Sequence, residues 1–217
     1  MPFPALDPAD PLGVESLLTD TDRAVRDTVR QYLDDKVQPH IAGWFEQGDL
    51  PTLTELARDF GELGLLGMHL DGYGCSGMSA LAYGLACREL EACSSDLRSF
   101  VSVQGSLAMF AIHRFGSEEQ KQEWLLRMAA GTAIGCFGLT EPDHGSDPSP
   151  MRTRARRDGG DWILDGRKMW ITNGPVAAVA VVWARTATAS EASSYRRTPP
   201  ASPRPSSSTR CRYGPVS

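Results

Sequence analysis

The sequence predicts an α+β fold, with an all-helical N-terminal domain followed by a β-domain. Three observations carry this. Apolar residues recur at helical spacing through the first 132 residues, short runs with alternating polarity take over from residue 133, and the two patterns do not interleave. The expected division is residues 1–132 helical, 133–186 β, and 187–217 a tail without regular structure.

Residues 19–36 place Val25, Val29, Tyr32 and Leu33 at i, i+4, i+7 and i+8, which is one helical face. A second helix is expected over 52–63, with Leu53, Leu56, Ala57 and Phe60 on one side and Gly61 and Gly64 weakening its end. The glycine-rich run 71–77 reads as a loop. A third helix groups Met78, Leu81, Ala82, Leu85 and Ala86. A fourth, starting near Ser99, lines up Phe100, Val103, Leu107, Phe110 and Ala111. The fifth opens on Ser117, Glu118, Glu119 and Gln120, a capping-box pattern, and closes near Gly131.

In the β-block, residues 133–139 are a short apolar run containing Ile134 and Phe137. Residues 151–155 alternate with Arg152 and Arg154, as a half-exposed strand does. Asp158, Gly159 and Gly160 signal a turn, and 162–164 a strand. Asp165 and Gly166 read as a hairpin turn, with 168–172 its return strand, and 177–185 is a further strand. The tail then holds eight serines, five prolines, five arginines and one glutamate with no hydrophobic period. Such a segment cannot bury enough apolar area to offset its ordering entropy, so disorder is expected. A shifted reading frame is the favoured origin, and a linker or interaction tail the alternative.

The chain has 217 residues and a net charge of −5, which argues against nucleic acid as a partner. The first residues carry neither a cationic segment nor a long apolar run, and no stretch approaches the ~20 apolar residues that span a bilayer. A soluble, cytoplasmic protein without membrane contact is expected. The five cysteines are odd in number and include no CxxC, so reduced, mostly buried thiols are expected. His113 and His144 lack partners at metal-ligand spacing, so no metal is expected, and His144 should face solvent.

Two stretches carry chemistry. Residues 137–148 follow a strand and combine Thr140, a turn fixed by Pro142, and the pair Gly145 and Ser146. Glycine lets a ligand approach the backbone, and free amides beside hydroxyls suit a polar ring or a phosphate. By itself this is a candidate ligand loop that an ordinary β-turn would explain equally well. In the second stretch, Trp170 stands two residues before Thr172, which on a strand puts both side chains on one face. That pairing suits an aromatic heterocycle; a core tryptophan near a strand end is the competing reading.

Together, LTEPDHGSDP (139–148) and DGRKMWITNG (165–174) resemble, in order and separation, the two flavin-binding signatures of the acyl-CoA dehydrogenase family. The resemblance extends through residues 62–67, the glycine-rich loop and 116–121, and covers roughly residues 15–186. It implies FAD as cofactor, lined by Phe137, Leu139, Thr140, Gly145, Ser146, Trp170, Ile171 and Thr172. Thr140 would bond the pyrimidine side of the flavin, and Ser146 would lie where flavin and acyl-CoA approach. Trp170 would pack beside the isoalloxazine, and Thr172 would bond near N5. The implied activity is α,β-dehydrogenation of an acyl-CoA, with an electron-transfer flavoprotein as electron acceptor and a homo-oligomer, a tetramer, as the assembly.

The segment from Asp96 to Gln104 resembles the substrate segment of glutaryl-CoA dehydrogenases, where an Arg-Ser pair meets the distal carboxylate; Arg98 and Ser99 are the matching residues. Residues 135–142 and 181–185 also look closer to that subgroup. A carboxylate entering an apolar pocket needs a fixed cation, which arginine supplies as a planar fork. Glutaryl-CoA, oxidised with decarboxylation to crotonyl-CoA, is therefore the expected substrate. Another short-chain acyl-CoA is the alternative, and an oxidase reaction remains open because these residues do not specify the acceptor.

The match ends near Arg185 or Thr186, whereas family members continue into a C-terminal helical domain that carries the catalytic glutamate. No residue of this sequence corresponds to that base, and neither Glu89 nor Glu141 takes its place in the pattern. The expectation is a chain lacking the C-terminal helical domain, inactive alone and binding FAD weakly or not at all. General-base catalysis contributes about 10²–10⁴-fold, which is the least such a loss would cost.

Overall fold

The computed structural model describes residues 10–47, 53–159, 161–186, 190–196, 208–211 and 215–216. After a short 3₁₀ turn at Val14–Leu17, the helices are α1 (Asp20–Lys36), α2 (Gln38–Gln47), α3 (Leu53–Glu62), α4 (Ala80–Cys93) and α5 (Ser95–Ser102). A π-helical segment, Val103–Met109, leads into α6 (Phe110–Phe115), and α7 (Glu118–Ala129) completes the helical block. Capping sets several starts. Thr19 and Asp22 form a capping box on α1, Ser117 and Gln120 one on α7, and the Ser79 side chain caps α4. The α2 helix has no counterpart in the sequence reading. Pro39 stands near its start, where a missing N–H costs nothing, and Gly43 lies within it.

The fourth expected helix differs most. It begins at Ser95 and carries the π segment, whose wider turn shifts the inward face. Gln104, Gly105, Ala108, Met109 and Ile112 are buried, whereas Leu107 and Phe110, expected inside, are exposed.

The core lies among α1, α3, α4, α5, the π segment and α7, around Leu33, Phe60, Leu90, Leu97, Met109 and Leu125. Gly131, at φ +67°, ends the block where a Cβ would lie 1.8 Å from the Ala57 carbonyl oxygen, so glycine permits the contact with α3. Glu89, buried on α4, accepts from Arg30 Nε at 2.9 Å and Nη2 at 3.1 Å and from Arg88, which ties α1 to α4.

The strands are β1 (Gly135–Gly138), β2 (Arg154–Asp158), β3 (Asp161–Asp165), β4 (Val179–Arg185), β5 (Ser190–Arg196), β6 (Ser208–Cys211) and β7 (Pro215–Val216). Among the described residues the sheet runs β6-β3-β2-β4-β5-β7, with β1 parallel to β4. β2 and β3 form the hairpin expected at the Asp158–Gly159 turn. The expected alternation over 151–155 is present: Met151, Thr153 and Ala155 are buried while Arg152 and Arg154 are exposed.

Part of the segment expected to lack structure has strand backbone. β5 pairs antiparallel with β4 along its whole length, which main-chain hydrogen bonds support without an apolar side-chain pattern. The expectation of disorder at 187–189, 197–207, 212–214 and 217 lies outside the described residues.

Gln104 joins the two blocks. Its Nε2 donates to the carbonyls of Met128 at 3.2 Å and Ala133 at 2.9 Å, and its Oε1 accepts from the Gly135 amide at 2.7 Å. Among the described residues no helix is long and apolar enough to cross a membrane. Of the cysteines, Cys136 is buried and Cys75, Cys87 and Cys93 are half-buried rather than fully inside.

Candidate functional site

The pairing of β1 with β4 carries residues 139–148 away from the sheet at the C-terminal end of β1. There the segment meets a second one from 27–29 residues later in the chain. The Met169 amide donates to the Thr140 carbonyl at 3.0 Å. Lys168 Nζ donates to the Leu139 carbonyl at 3.0 Å and to Glu141 Oε1 at 2.9 Å. Asn173 Nδ2 reaches the Gly135 carbonyl at 3.2 Å. The two stretches singled out in the sequence are thus neighbours in space.

Glu141 anchors the meeting point. It is 5 % exposed and accepts from the Arg152 amide at 2.6 Å, the Thr153 amide at 2.9 Å, the Thr153 hydroxyl and Lys168. Burial pushes its carboxyl up, but these four donors outweigh it and hold the group at about 2. Beyond it, Glu141 and His144 exchange backbone hydrogen bonds of 2.9 and 3.2 Å, folding the loop through Pro142 and Asp143. This fold-back corrects the expectation for His144: its Nε2 is buried and without a hydrogen-bond partner rather than facing solvent. Gly145 and Ser146 are exposed, with open space where a Gly145 Cβ would stand.

Residues 168–172 do not form the expected return strand. Gly166 backs against Thr153, where a Cβ would come within 2.4 Å of the hydroxyl oxygen, and β3 pairs with β2 and β6 instead. The chain leaves the sheet and is drawn to Glu141 through Lys168. Trp170 takes a left-handed conformation, φ +58°, and Asn173 another, φ +65°. Trp170 and Thr172 therefore do not share a strand face. The Trp170 side chain is 86 % exposed, Thr172 is exposed, and Ile171 is half-buried. Phe137, Leu139 and Thr140 are half-buried, and Phe137 packs edge-on against Trp183 with ring centroids 6.0 Å apart. The Trp183 indole nitrogen is buried without a partner.

Arg98 lies on α5, earlier on the continuous helix that carries Gln104. Its Nε bonds Glu91 Oε2 at 2.7 Å and its Nη1 reaches Ser102 Oγ at 3.4 Å. Ser102 Oγ donates to the Ser99 carbonyl at 3.1 Å, so the side chain beside the guanidinium is that of Ser102, one turn beyond Ser99. Glu91 and Ser102 were missed in the sequence. The available signal was helical spacing, because Arg98 and Ser102 stand four apart on one face. The Arg98 bond holds the Glu91 carboxyl below its ordinary value. Nearby, Tyr83 Oη and Ser106 Oγ are 2.8 Å apart, and burial pushes the Tyr83 phenol up to about 12. Among the described residues no cluster of metal-ligating side chains occurs.

Comparison with known proteins meets this geometry at both ends. The acyl-CoA dehydrogenase N-terminal domain matches residues 19–132, and the acyl-CoA dehydrogenase middle domain matches residues 136–198. The chain belongs to the acyl-CoA dehydrogenase family. The middle-domain match runs past residue 187, where the tail was expected to begin.

A structure of glutaryl-CoA dehydrogenase from Mycobacterium smegmatis is 64 % identical, with a TM-score of 0.83, covering 87 % of this chain and 49 % of that one. A second, of a glutaryl-CoA dehydrogenase from Mycobacterium smegmatis in complex with FADH2, is 62 % identical, with a TM-score of 0.81, covering 84 % of this chain and 47 % of that one. Among curated proteins, the probable acyl-CoA dehydrogenase YngJ of Bacillus subtilis is 38 % identical over 78 % of this chain and 44 % of its own length. The chain spans about half the length of the relatives it matches.

Proposed function

We propose that this chain provides the FAD-facing and acyl-recognising half of a dehydrogenase acting on glutaryl-CoA, with electrons passing to an electron-transferring flavoprotein. The observation that carries the reading is the junction of 139–141 with 168–169, which ties the segment leading into the exposed Trp170 to a loop of half-buried and exposed polar groups.

The residues present fit a flavin. Trp170 offers a flat open face, Thr140 and Ser146 stand on the adjoining loop, and the buried, unpartnered His144 Nε2 lies on that loop. Thr172 is exposed two residues beyond Trp170. Phe137, Leu139, Thr140, Gly145, Ser146, Trp170, Ile171 and Thr172 are the residues we assign to the cofactor. Bound FAD supplies the acceptor for the hydride that leaves the β-carbon of the acyl chain. The chain's own part is to orient the ring and to offer donors where negative charge grows on it.

Selection of glutaryl-CoA falls to Arg98, with Ser102 beside the guanidinium and Glu91 holding its orientation; Ser99 contributes its carbonyl to Ser102. A distal carboxylate would meet the guanidinium at its Nη end, Nε being held by Glu91. The 64 % identity to a glutaryl-CoA dehydrogenase supports this choice over other short acyl chains.

The test is a chimera in which residues 15–186 replace the matching half of the Mycobacterium smegmatis enzyme. The expected product is yellow and reduces a dye with glutaryl-CoA in preference to butyryl-CoA. A soluble chimera that takes up no flavin would sink the cofactor assignment. One that takes up flavin but turns over both substrates equally would sink the substrate assignment.

A further inference from the structure

We propose that Glu141 is a positioning residue: with Lys168 it forms a buried clamp that sets the 139–141 loop against the 168–170 segment and thereby holds the Trp170 indole in place before any ligand arrives. The proposal deepens the reading above, in which these segments face the flavin.

The clamp follows from how the charges are partnered. Glu141 collects donors from two separate places, the Arg152–Thr153 backbone ahead of β2 and the Lys168 ammonium. Lys168 spends two of its donors on the loop, one on Glu141 and one on the Leu139 carbonyl. A buried carboxylate and a mostly buried ammonium each need the other, because an unpaired charge removed from water is strongly unfavourable. The pair therefore fixes a contact between residues 27 apart that no regular strand pairing enforces. The Met169 amide to Thr140 carbonyl bond forms directly alongside.

The next residue shows what the clamp is for. Trp170 is β-free, exposed and left-handed, a conformation that non-glycine residues hold only when their surroundings over-determine it. Its surroundings do so from both sides. Lys168 and Met169 are tied to the loop before it, and Asn173 is tied to the Gly135 carbonyl after it. An exposed indole has little packing of its own to keep it there. Releasing Lys168 removes one of the two ties and lets the backbone at Trp170 relax.

The experiment uses the full chain and follows hydrogen exchange at the Met169 amide, with the Leu125 amide in the helical core as an internal standard. Glu141→Gln keeps the side-chain volume and removes the charge. Its expected effect is an increase of about tenfold or more in Met169 exchange, with Leu125 unchanged. Lys168→Met should do the same, and Lys168→Arg, which retains the charge, should restore protection. In parallel, FAD titration of the chimera described above should show at least about tenfold weaker uptake when it carries Glu141→Gln than when it carries the parent segment. Parental Met169 exchange in Glu141→Gln overturns the clamp. Should that variant not fold, parental exchange in Lys168→Met overturns it equally. Lost protection with parental FAD affinity overturns the positioning role. A chimera that takes up no FAD defeats the flavin reading, while Met169 exchange in the full chain still decides the clamp.

Discussion

Gln104 accepts the amide proton of Gly135 at 2.7 Å while donating to two carbonyls, so one side chain of the helical block closes the start of the sheet. Gln104→Leu keeps similar volume but strands two buried main-chain groups, the Ala133 carbonyl and the Gly135 amide, while the Met128 carbonyl keeps the Gly131 amide at 3.2 Å. The expected cost is about 3 kcal/mol, read as a lower urea midpoint with an unchanged m-value.

The π segment makes its own forecast. On an uninterrupted α-helix Leu107 and Phe110 would share the inner face with Phe100, yet Met109 is the residue that is fully buried. Met109→Ala should cost about 2–5 kcal/mol, and Leu107→Ala within about 1 kcal/mol. Equal costs measured in the same denaturant series would argue for the uninterrupted helix.

Acid should weaken the clamp in a defined window. The Glu141 carboxyl is held at about 2, below its ordinary value of 4.5. A depressed folded-state value contributes stability that is complete above pH ~4.5 and lost as pH falls towards ~2, on the order of 3 kcal/mol in all. The stability gap between the parent chain and Glu141→Gln should therefore narrow steadily over that range. A gap constant from pH 5 to 2.5 would contradict the charge assignment.

In the chimera, Arg98→Ala should lower kcat/KM for glutaryl-CoA by about tenfold to a hundredfold, the worth of a hydrogen bond to a charged group, with flavin content unchanged. Turnover of butyryl-CoA should change little. Ser102→Ala should give a smaller loss in the same direction. Undiminished glutaryl-CoA turnover in Arg98→Ala would remove that residue from substrate recognition.

Much of this fold was legible in the sequence where one period persisted. The stripe Val25, Val29, Tyr32, Leu33 and the Ser117–Gln120 box mark α1 and α7 because their spacing follows a regular helix. Legibility failed where a local departure altered the count. The π segment moved Leu107 outward, and the positive φ at Trp170 turned an apparent strand into a bend. Both departures are tertiary effects that residue type alone does not encode. The loops at 139–148 and 165–174 were recognisable as motifs, but their physical link was not. The Glu141–Lys168 contact exists only once β1, β2 and β4 have brought the segments together. Ser102 was likewise hidden behind its neighbour Ser99 until the helix placed it beside Arg98.

The exposed Trp170 also gives the molecule an optical reporter at its most informative point. Trp124 and Trp162 are buried and Trp44 and Trp183 half-buried, so red-edge emission comes chiefly from Trp170. Iodide or acrylamide in solution will reach that indole first. A ligand settling over it will shield it from the quencher, and occupancy of this corner can be followed by light alone, without a label.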